Sequence, residues 1–248
     1  LILFVLVPCL FAGFKGIESI ARSAVVFAVF IFSVILIFTI VNINNMDFRV
    51  LQPVYADTGL VKLAGGIFNV GGRFCDSVIF YMFIPYLVRT ASVNKSLNIS
   101  IIIFTIFYII ISVSTQTVLG VKLAKALNYP YYVCIQQVNL FDFIQRIELI
   151  NVIAWFLIFY TKISTTFYAA AVGATQIFKR KSYKFYLVLL NLITFITILI
   201  VPAKNSPLLR IVGESFLYLF SLFFSMTIIP TIILIVYFFR RKILKNQI

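Results

Sequence analysis

Polar positions in this chain are gathered into short breaks between long apolar blocks, and the blocks rather than any amphipathic period dominate the pattern. Runs of about 17 to 25 apolar residues are long enough to cross bilayer hydrocarbon as helices. Seven are predicted, at roughly 1–14, 23–43, 70–88, 98–119, 148–174, 185–203 and 214–239. The first is short and starts at Leu1, with neither an initiator Met nor a basic leader flank. We therefore expect a single membrane domain over 1–248 that lacks its natural N-terminus.

Two connections exceed what topology requires. Residues 120–147, "GVKLAKALNYPYYVCIQQVNLFDFIQRI", place apolar residues at helical intervals among Lys122, Lys125, Asp142 and Arg146. That pattern predicts amphipathic helices at the outer interface, with Tyr129, Tyr131 and Tyr132 as headgroup-level anchors. Residues 42–74 run from an outer loop into the third span, "GGIFNVGGRFCDSVIFYMFIPYL". There Gly65-Gly66 and Gly71-Gly72 sit beside Asn69, Arg73 and Asp76, where a plain spanning helix would hold Leu and Ile. Each glycine costs a helix interior about 1 kcal/mol relative to Ala. The pairs point either to a broken helix, whose freed backbone groups line a cavity, or to close helix packing through small residues.

Composition changes the picture only by confirming the solvent. The chain is 62% hydrophobic and 11% charged, with a mean hydropathy of +1.10, far from the balance of a soluble domain. Its net charge of +14 would suggest nucleic acid in a soluble protein. Here placement decides. With the C-terminal tail taken as cytoplasmic, one set of alternate loops holds Lys15, Arg22, Arg89, Lys95, Lys179, Arg180, Lys181, Lys184, Arg240, Arg241, Lys242 and Lys245 against Glu18 alone. On the other side Arg49, Lys62, Arg73, Lys122, Lys125, Arg146, Lys204 and Arg210 are offset by Asp47, Asp57, Asp76, Asp142, Glu148 and Glu214. This is the positive-inside asymmetry, with an attraction to anionic lipid; no nucleic-acid partner is expected.

The chemistry available is narrow. There is no histidine, and Cys9, Cys75 and Cys134 lack paired spacing, so the usual zinc and haem ligand sets are missing. Cys9 and Cys75 read as small apolar residues, Cys134 as a loop thiol. No phosphate loop and no close carboxylate pair occurs. Neither an enzyme, a cofactor nor a metal is expected.

One residue stands out. Lys162 lies mid-way along "AWFLIFYTKISTTFYAAA" with no carboxylate within two turns. On a helix it shares a face with Trp155, Phe159, Thr166, Ala169 and Gly173, a face predicted to meet other helices. A lysine at the bilayer centre costs about 2.5 to 3.5 kcal/mol on insertion scales. Three roles remain open: pairing with a carboxylate, with Asp76 nearest in kind; a fixed charge standing where a relative binds sodium; or an inert residue that snorkels. At the start of the same span, Arg146 and Glu148 are expected to engage other helices rather than each other, since two residues apart they point in different directions.

Several stretches resemble the spore germination permease family, the B-type membrane subunits of germinant receptors: "FKGIESIAR" (14–22), "LQPVYADTGLVKLAGG" (51–66), "FCDSVIFYMFIPYL" (74–87), "NYPYYVCIQQVNLFDFIQRIE" (128–148) and "WFLIFYTKISTTFYAAAVGATQIF" (155–178). That family is similar to the amino acid/polyamine/organocation transporters. The resemblance implies an all-α integral membrane protein whose seven transmembrane helices correspond to helices 4 to 10 of a ten-helix, inverted-repeat, LeuT-like fold. The glycine-bearing third span would be the discontinuous helix six, and Lys162 would lie on helix eight. Two departures bear on the ligand: Phe74-Cys75-Asp76 stands where the family commonly has Phe-Gly-Glu, and Gln52-Pro53 where it has Leu-Pro.

The expected function is a membrane subunit of a spore germinant receptor. It would bind a small nutrient, an amino acid, in a transporter-like pocket and pass the event to A-type and lipoprotein C-type subunits. The alternative is an ion- or proton-coupled amino-acid permease. Candidate ligand-binding residues are Asn69, Gly71, Gly72, Asp76, Lys162 and Thr166. The expected location is the inner membrane of the spore, multi-pass, with a cytoplasmic C-terminus.

Overall fold

The structure, a computed structural model, describes residues 2–52, 59–72, 74–87, 93–138, 148–200 and 228–245. They are helical and fall into two compact units, one formed by Leu1–Asp57 with Leu87–Ile193, the other by Thr58–Tyr86 with Thr194–Ile248. In chain order the α-helices are α1 (Ile2–Lys15), α2 (Ile17–Val41), α3 (Leu60–Gly72), α4 (Val93–Leu119), α5 (Val121–Ala126), α6 (Pro130–Gln136), α7 (Glu148–Ile177), α8 (Lys184–Ile200) and α9 (Ile229–Lys245). Short 3-10 turns cover Asn42–Asn45 and Phe48–Leu51, and a longer 3-10 segment covers Cys75–Tyr86.

Among the described residues three helices are long and apolar enough to cross a membrane: α2 continued through Asn45, α4 and α7. Their 29, 27 and 30 residues correspond to about 40 to 45 Å at 1.5 Å per residue, more than the hydrocarbon thickness. α1 and α8 are apolar but shorter, and the first half of the seventh predicted span lies outside the described residues. Large apolar side chains on these helices face outward, among them Val25, Val29, Ile102, Ile106, Ile153 and Leu199. In water such a surface would aggregate; in lipid it is the solvated one.

In the first unit α1, α2 and α7 pack against one another, and α2 also meets α4. Small residues let α7 approach: its buried positions include Ala154, Ser164, Ala169 and Ala171. Rings fill the wider gaps, Phe27 edge-on to Tyr160 at 5.6 Å and Phe32 stacked on Phe107 at 4.2 Å. Gly16 separates α1 from α2 at φ +93 and ψ 178, a region open in practice only to glycine. Glu18 in the next turn pairs with Arg22 at 2.6 Å.

At the opposite end α5 and α6 form, and α6 turns Cys134 and Ile135 inward while Gln136 is exposed. Cys134 and Ile135 are each 1% exposed, and Ile135 and Val138 join Val34, Phe38 and Ala154 in one apolar cluster. Tyr131 packs against that cluster with its hydroxyl buried, whereas Tyr129 and Tyr132 lean on Trp155 at 5.8 and 5.9 Å. The expectation of three interfacial tyrosines is thus corrected for Tyr131, and that of a loop thiol for Cys134. The reason is that α2, α4 and α7 leave an apolar recess at this end, which α6 fills.

Burial pushes the Cys134 thiol up to about 11, and Tyr131 is raised by burial first and by Cys134 second. The folded state therefore holds the Cys134 proton after an unfolded thiol, near pH 8.5, has lost it. Between those values the folded state binds more protons, so this contribution to stability is complete below about pH 8.5 and declines as pH rises towards 11. Comparing alkaline melting of the parent with Cys134→Ala is expected to show a shallower decline in the variant. Iodoacetamide at pH 8 should leave Cys134 unmodified until the protein unfolds.

Candidate functional site

The third predicted span is not one continuous α-helix. α3 ends at Gly72, and from Cys75 the chain continues as 3-10 helix. The change of hydrogen bonding is visible at the junction: Phe74 N–H donates to the Gly71 carbonyl at 3.0 Å, and Ser77 donates to the Phe74 carbonyl from its N–H at 3.0 Å and its Oγ at 2.6 Å. These three-residue closures replace the four-residue ladder of α3. Beside Gly65, Gly66 and Gly71 no described atom would lie within 4 Å of an added Cβ. Asn69, Gly71 and Gly72 end α3 and Asp76 opens the 3-10 segment; the side chains of Asn69 and Asp76 lie outside the described residues.

Lys162 and Thr166 belong to the first unit, Asn69, Gly71, Gly72 and Asp76 to the second. Along α7 the inward stripe runs through Asn151, Ala154, Ser164, Tyr168 and Ala171, whereas Lys162 and Phe159 are exposed. Two residues on a helix are about 200° apart, so Lys162 stands opposite Ser164. The prediction that its whole face meets other helices is corrected: Ala169 on that face is buried, Trp155, Thr166 and Gly173 are half-buried, and the lysine is exposed. Both faces of α7 carry small and hydroxylated residues, and α1 and α2 use the other one. Thr166 Oγ1 donates to the Lys162 carbonyl at 2.8 Å. Glu148 lies in the first turn of α7; Arg146 lies outside the described residues.

The inward stripe holds polar groups that sequence reasoning passed over. Cys9 Sγ of α1 donates to the Tyr160 carbonyl at 3.6 Å. Ser164, 1% exposed, sets its hydroxyl beside the Cys9 thiol. On α8, Asn191 Nδ2 donates to the Leu187 carbonyl at 2.9 Å while its Oδ1 has no hydrogen bond among the described residues. A lone Asn in "LVLLNLITF" was the available signal, because a polar side chain amid Leu and Ile is expensive to place in lipid. At the other end Asn42, 1% exposed, donates from Nδ2 to the Cys134 carbonyl at 3.4 Å and accepts from Asn45 Nδ2 at 3.3 Å. Cys134 Sγ reaches the Ser114 carbonyl at 3.8 Å, and Asp47 N–H donates to the Thr117 carbonyl at 3.0 Å. These bonds tie α2, α4 and α6 together.

Long apolar helices, an outward apolar surface and an interrupted glycine-rich helix define a helical membrane protein. A family model described as spore germination protein matches residues 1–207, and the chain belongs to that family. It is 23% identical over 231 residues to spore germination protein YndE of Bacillus subtilis (strain 168), covering 92% of this chain and 61% of that protein. It is 26% identical over 181 residues to spore germination protein KB of the same organism, covering 71% of this chain and 48% of that protein. The chain thus spans about half to three fifths of the curated relatives it matches. No solved structure matches it.

Proposed function

We propose that the protein is a multi-pass membrane subunit of a spore germinant receptor, with a LeuT-like arrangement of helices and a cytoplasmic C-terminus. It binds a small nutrient, an amino acid, and passes the event to A-type and lipoprotein C-type partner subunits. The observation that carries this reading is the interruption between Gly72 and Cys75 in a chain of the spore germination family. At such a break the backbone N–H and C=O groups leave the four-residue ladder, and turning them to a carboxylate or amine needs no added charged side chain. Asn69, Gly71, Gly72 and Asp76 are the proposed ligand-binding residues on that segment. Lys162 and Thr166 are proposed to act from α7. The cost of an ammonium in hydrocarbon makes the exposed face of α7 that bears Lys162 a protein- or water-facing surface. Ligand energy then acts by favouring one of two packings, which requires different affinities for them.

The test uses the full-length protein in spores. Asn69→Ala, Asp76→Asn and Lys162→Met should each raise the amino-acid concentration for half-maximal germination about tenfold, the equivalent of ~1.4 kcal/mol, with the subunit present at normal abundance. Unchanged nutrient response with reduced subunit assembly would indicate a scaffold instead. Robust accumulation of labelled amino acid by proteoliposomes would replace the receptor with the coupled permease.

A further inference from the structure

The turn between α1 and α2 and the turn between α7 and α8 meet at one end of the first unit. Leu187 of α8, fully buried, occupies the space beside Gly13, where an added Cβ would lie 2.5 Å from Leu187 Cδ2. The Tyr183 hydroxyl comes to 3.9 Å from where a Cβ of Gly16 would stand, and the Tyr183 ring packs edge-on to Tyr168 at 5.1 Å. These contacts put the turn that carries Lys15 beside the turn that carries Lys179, Arg180, Lys181 and Lys184, all exposed. Residues 176–186, "QIFKRKSYKFY", contain no acid, and Glu18 across the corner is already paired with Arg22. The positive charge is therefore uncompensated by this part of the chain.

Apolar rings adjoin the cations. Phe178 and Phe185 are each 65% exposed, Phe178 is stacked on Tyr186 at 5.7 Å, and the Lys15 ammonium lies 5.5 Å above the Phe11 ring. The backbone carries one further sign. α7 closes with Arg180 N–H donating to the Thr175 carbonyl at 3.1 Å, and Lys179 takes the left-handed position at φ +51. Glycine is the usual occupant of that place, because a side chain is disfavoured there. An ammonium stands at a position where the fold would be better served by no side chain.

We propose that this corner seats the headgroup of an anionic phospholipid of the surrounding bilayer. Lys179, Lys181, Lys184 and Lys15 hold the phosphate, and the upper acyl carbons lie against Phe178 and Phe185. Charge complementarity alone would also suit an acidic protein surface. The exposed rings beside the cations decide for lipid, since they match a ligand with an anionic head joined to an apolar tail. The seat goes beyond the general asymmetry of charge, because two turns far apart in sequence build it, and it does not depend on the nutrient site.

Full-length protein purified in neutral detergent, then given dioleoylphosphatidylglycerol or dioleoylphosphatidylcholine, provides the test through retained lipid and melting temperature. Phosphatidylglycerol should be retained and should raise the melting temperature; phosphatidylcholine should do neither to the same extent. Lys179→Gly should melt higher than the parent without lipid, yet bind phosphatidylglycerol about threefold more weakly. Lys179→Gly with Lys181→Ala and Lys184→Ala should weaken it at least tenfold, while Lys181→Arg with Lys184→Arg and the distant Lys122→Ala with Lys125→Ala should leave it unchanged. Equal binding by the parent and Lys179→Gly, or equal protection by phosphatidylcholine or by inorganic phosphate, overturns the proposal. So does a triple variant that keeps its phosphatidylglycerol but loses proteins that copurify with the parent, which would give the corner to an acidic protein.

Discussion

Gly16→Val should destabilise the solubilised protein by about 2 to 3 kcal/mol, the upper part of the range for forcing a side chain into a glycine-only backbone region. At φ +93 and ψ 178 the β-branched side chain collides with its own backbone whatever space surrounds it. Space is in fact ample, since the nearest described atom to an added Cβ is the Tyr183 hydroxyl at 3.9 Å. The penalty is therefore conformational. Relaxing it would turn α1 relative to α2 and carry Cys9 away from the Tyr160 carbonyl that it reaches at 3.6 Å. Gly16→Ala should cost nearly as much, because the clash begins at Cβ. The measurement is the fraction of monodisperse protein surviving a heating series. If Gly16→Ala melts with the parent, the turn does not adopt this conformation. Gly120, at φ +78 and ψ 152 with no described atom within 4 Å of an added Cβ, should behave alike.

Asn42→Ala should cost about 2 to 4 kcal/mol. Two hydrogen bonds are lost, to Cys134 and from Asn45, each worth about 0.5 to 1.5 kcal/mol, while the Cys134 carbonyl keeps the Gln137 N–H at 3.3 Å. A small cavity adds to the loss. Asn42→Leu should restore volume without restoring stability. Asn42→Asp should be worse than either, because a carboxylate 1% exposed beside the Cys134 carbonyl carries buried charge without a compensating partner. Protease sensitivity within residues 120–138 is the local readout, since α6 is anchored to α2 by this bond. An Asn42→Leu variant as stable as the parent would show that apolar packing alone holds α6.

The membrane character and the position of most helices were legible in the sequence because lipid imposes a length. A run of apolar residues must reach across about 30 Å, so α2, α4 and α7 came out within a few residues of their observed ends, except that α2 begins at Ile17 and α4 at Val93, each with an extra turn. The interruption of the third span was one of two readings open to the sequence, since paired glycines weaken a helix; it falls after Gly71-Gly72, whereas Gly65-Gly66 lie within α3. The packing faces were not. Within hydrocarbon there is no contrast between an apolar residue facing lipid and one facing protein, so helix period lost its usual meaning. The stripe of α7 through Ser164 and the one through Lys162 both carry small and hydroxylated residues, and the first makes the contact with α1 and α2.

Where water supplies contrast, as between spans, pattern misled in another way. The segment containing α6 has the amphipathic spacing of an interfacial helix, yet Cys134 and Ile135 are buried because the recess that receives them belongs to α2, α4 and α7. The sequence by itself determined how long the spanning helices are and that paired glycines weaken the third span, since each is a local cost set by the solvent or the backbone. Tertiary structure alone decided which side of α7 is inside, that Cys9 reaches the Tyr160 carbonyl, and that the α1–α2 turn lies beside the α7–α8 turn. Those depend on neighbours distant in the chain, whose approach no local preference encodes.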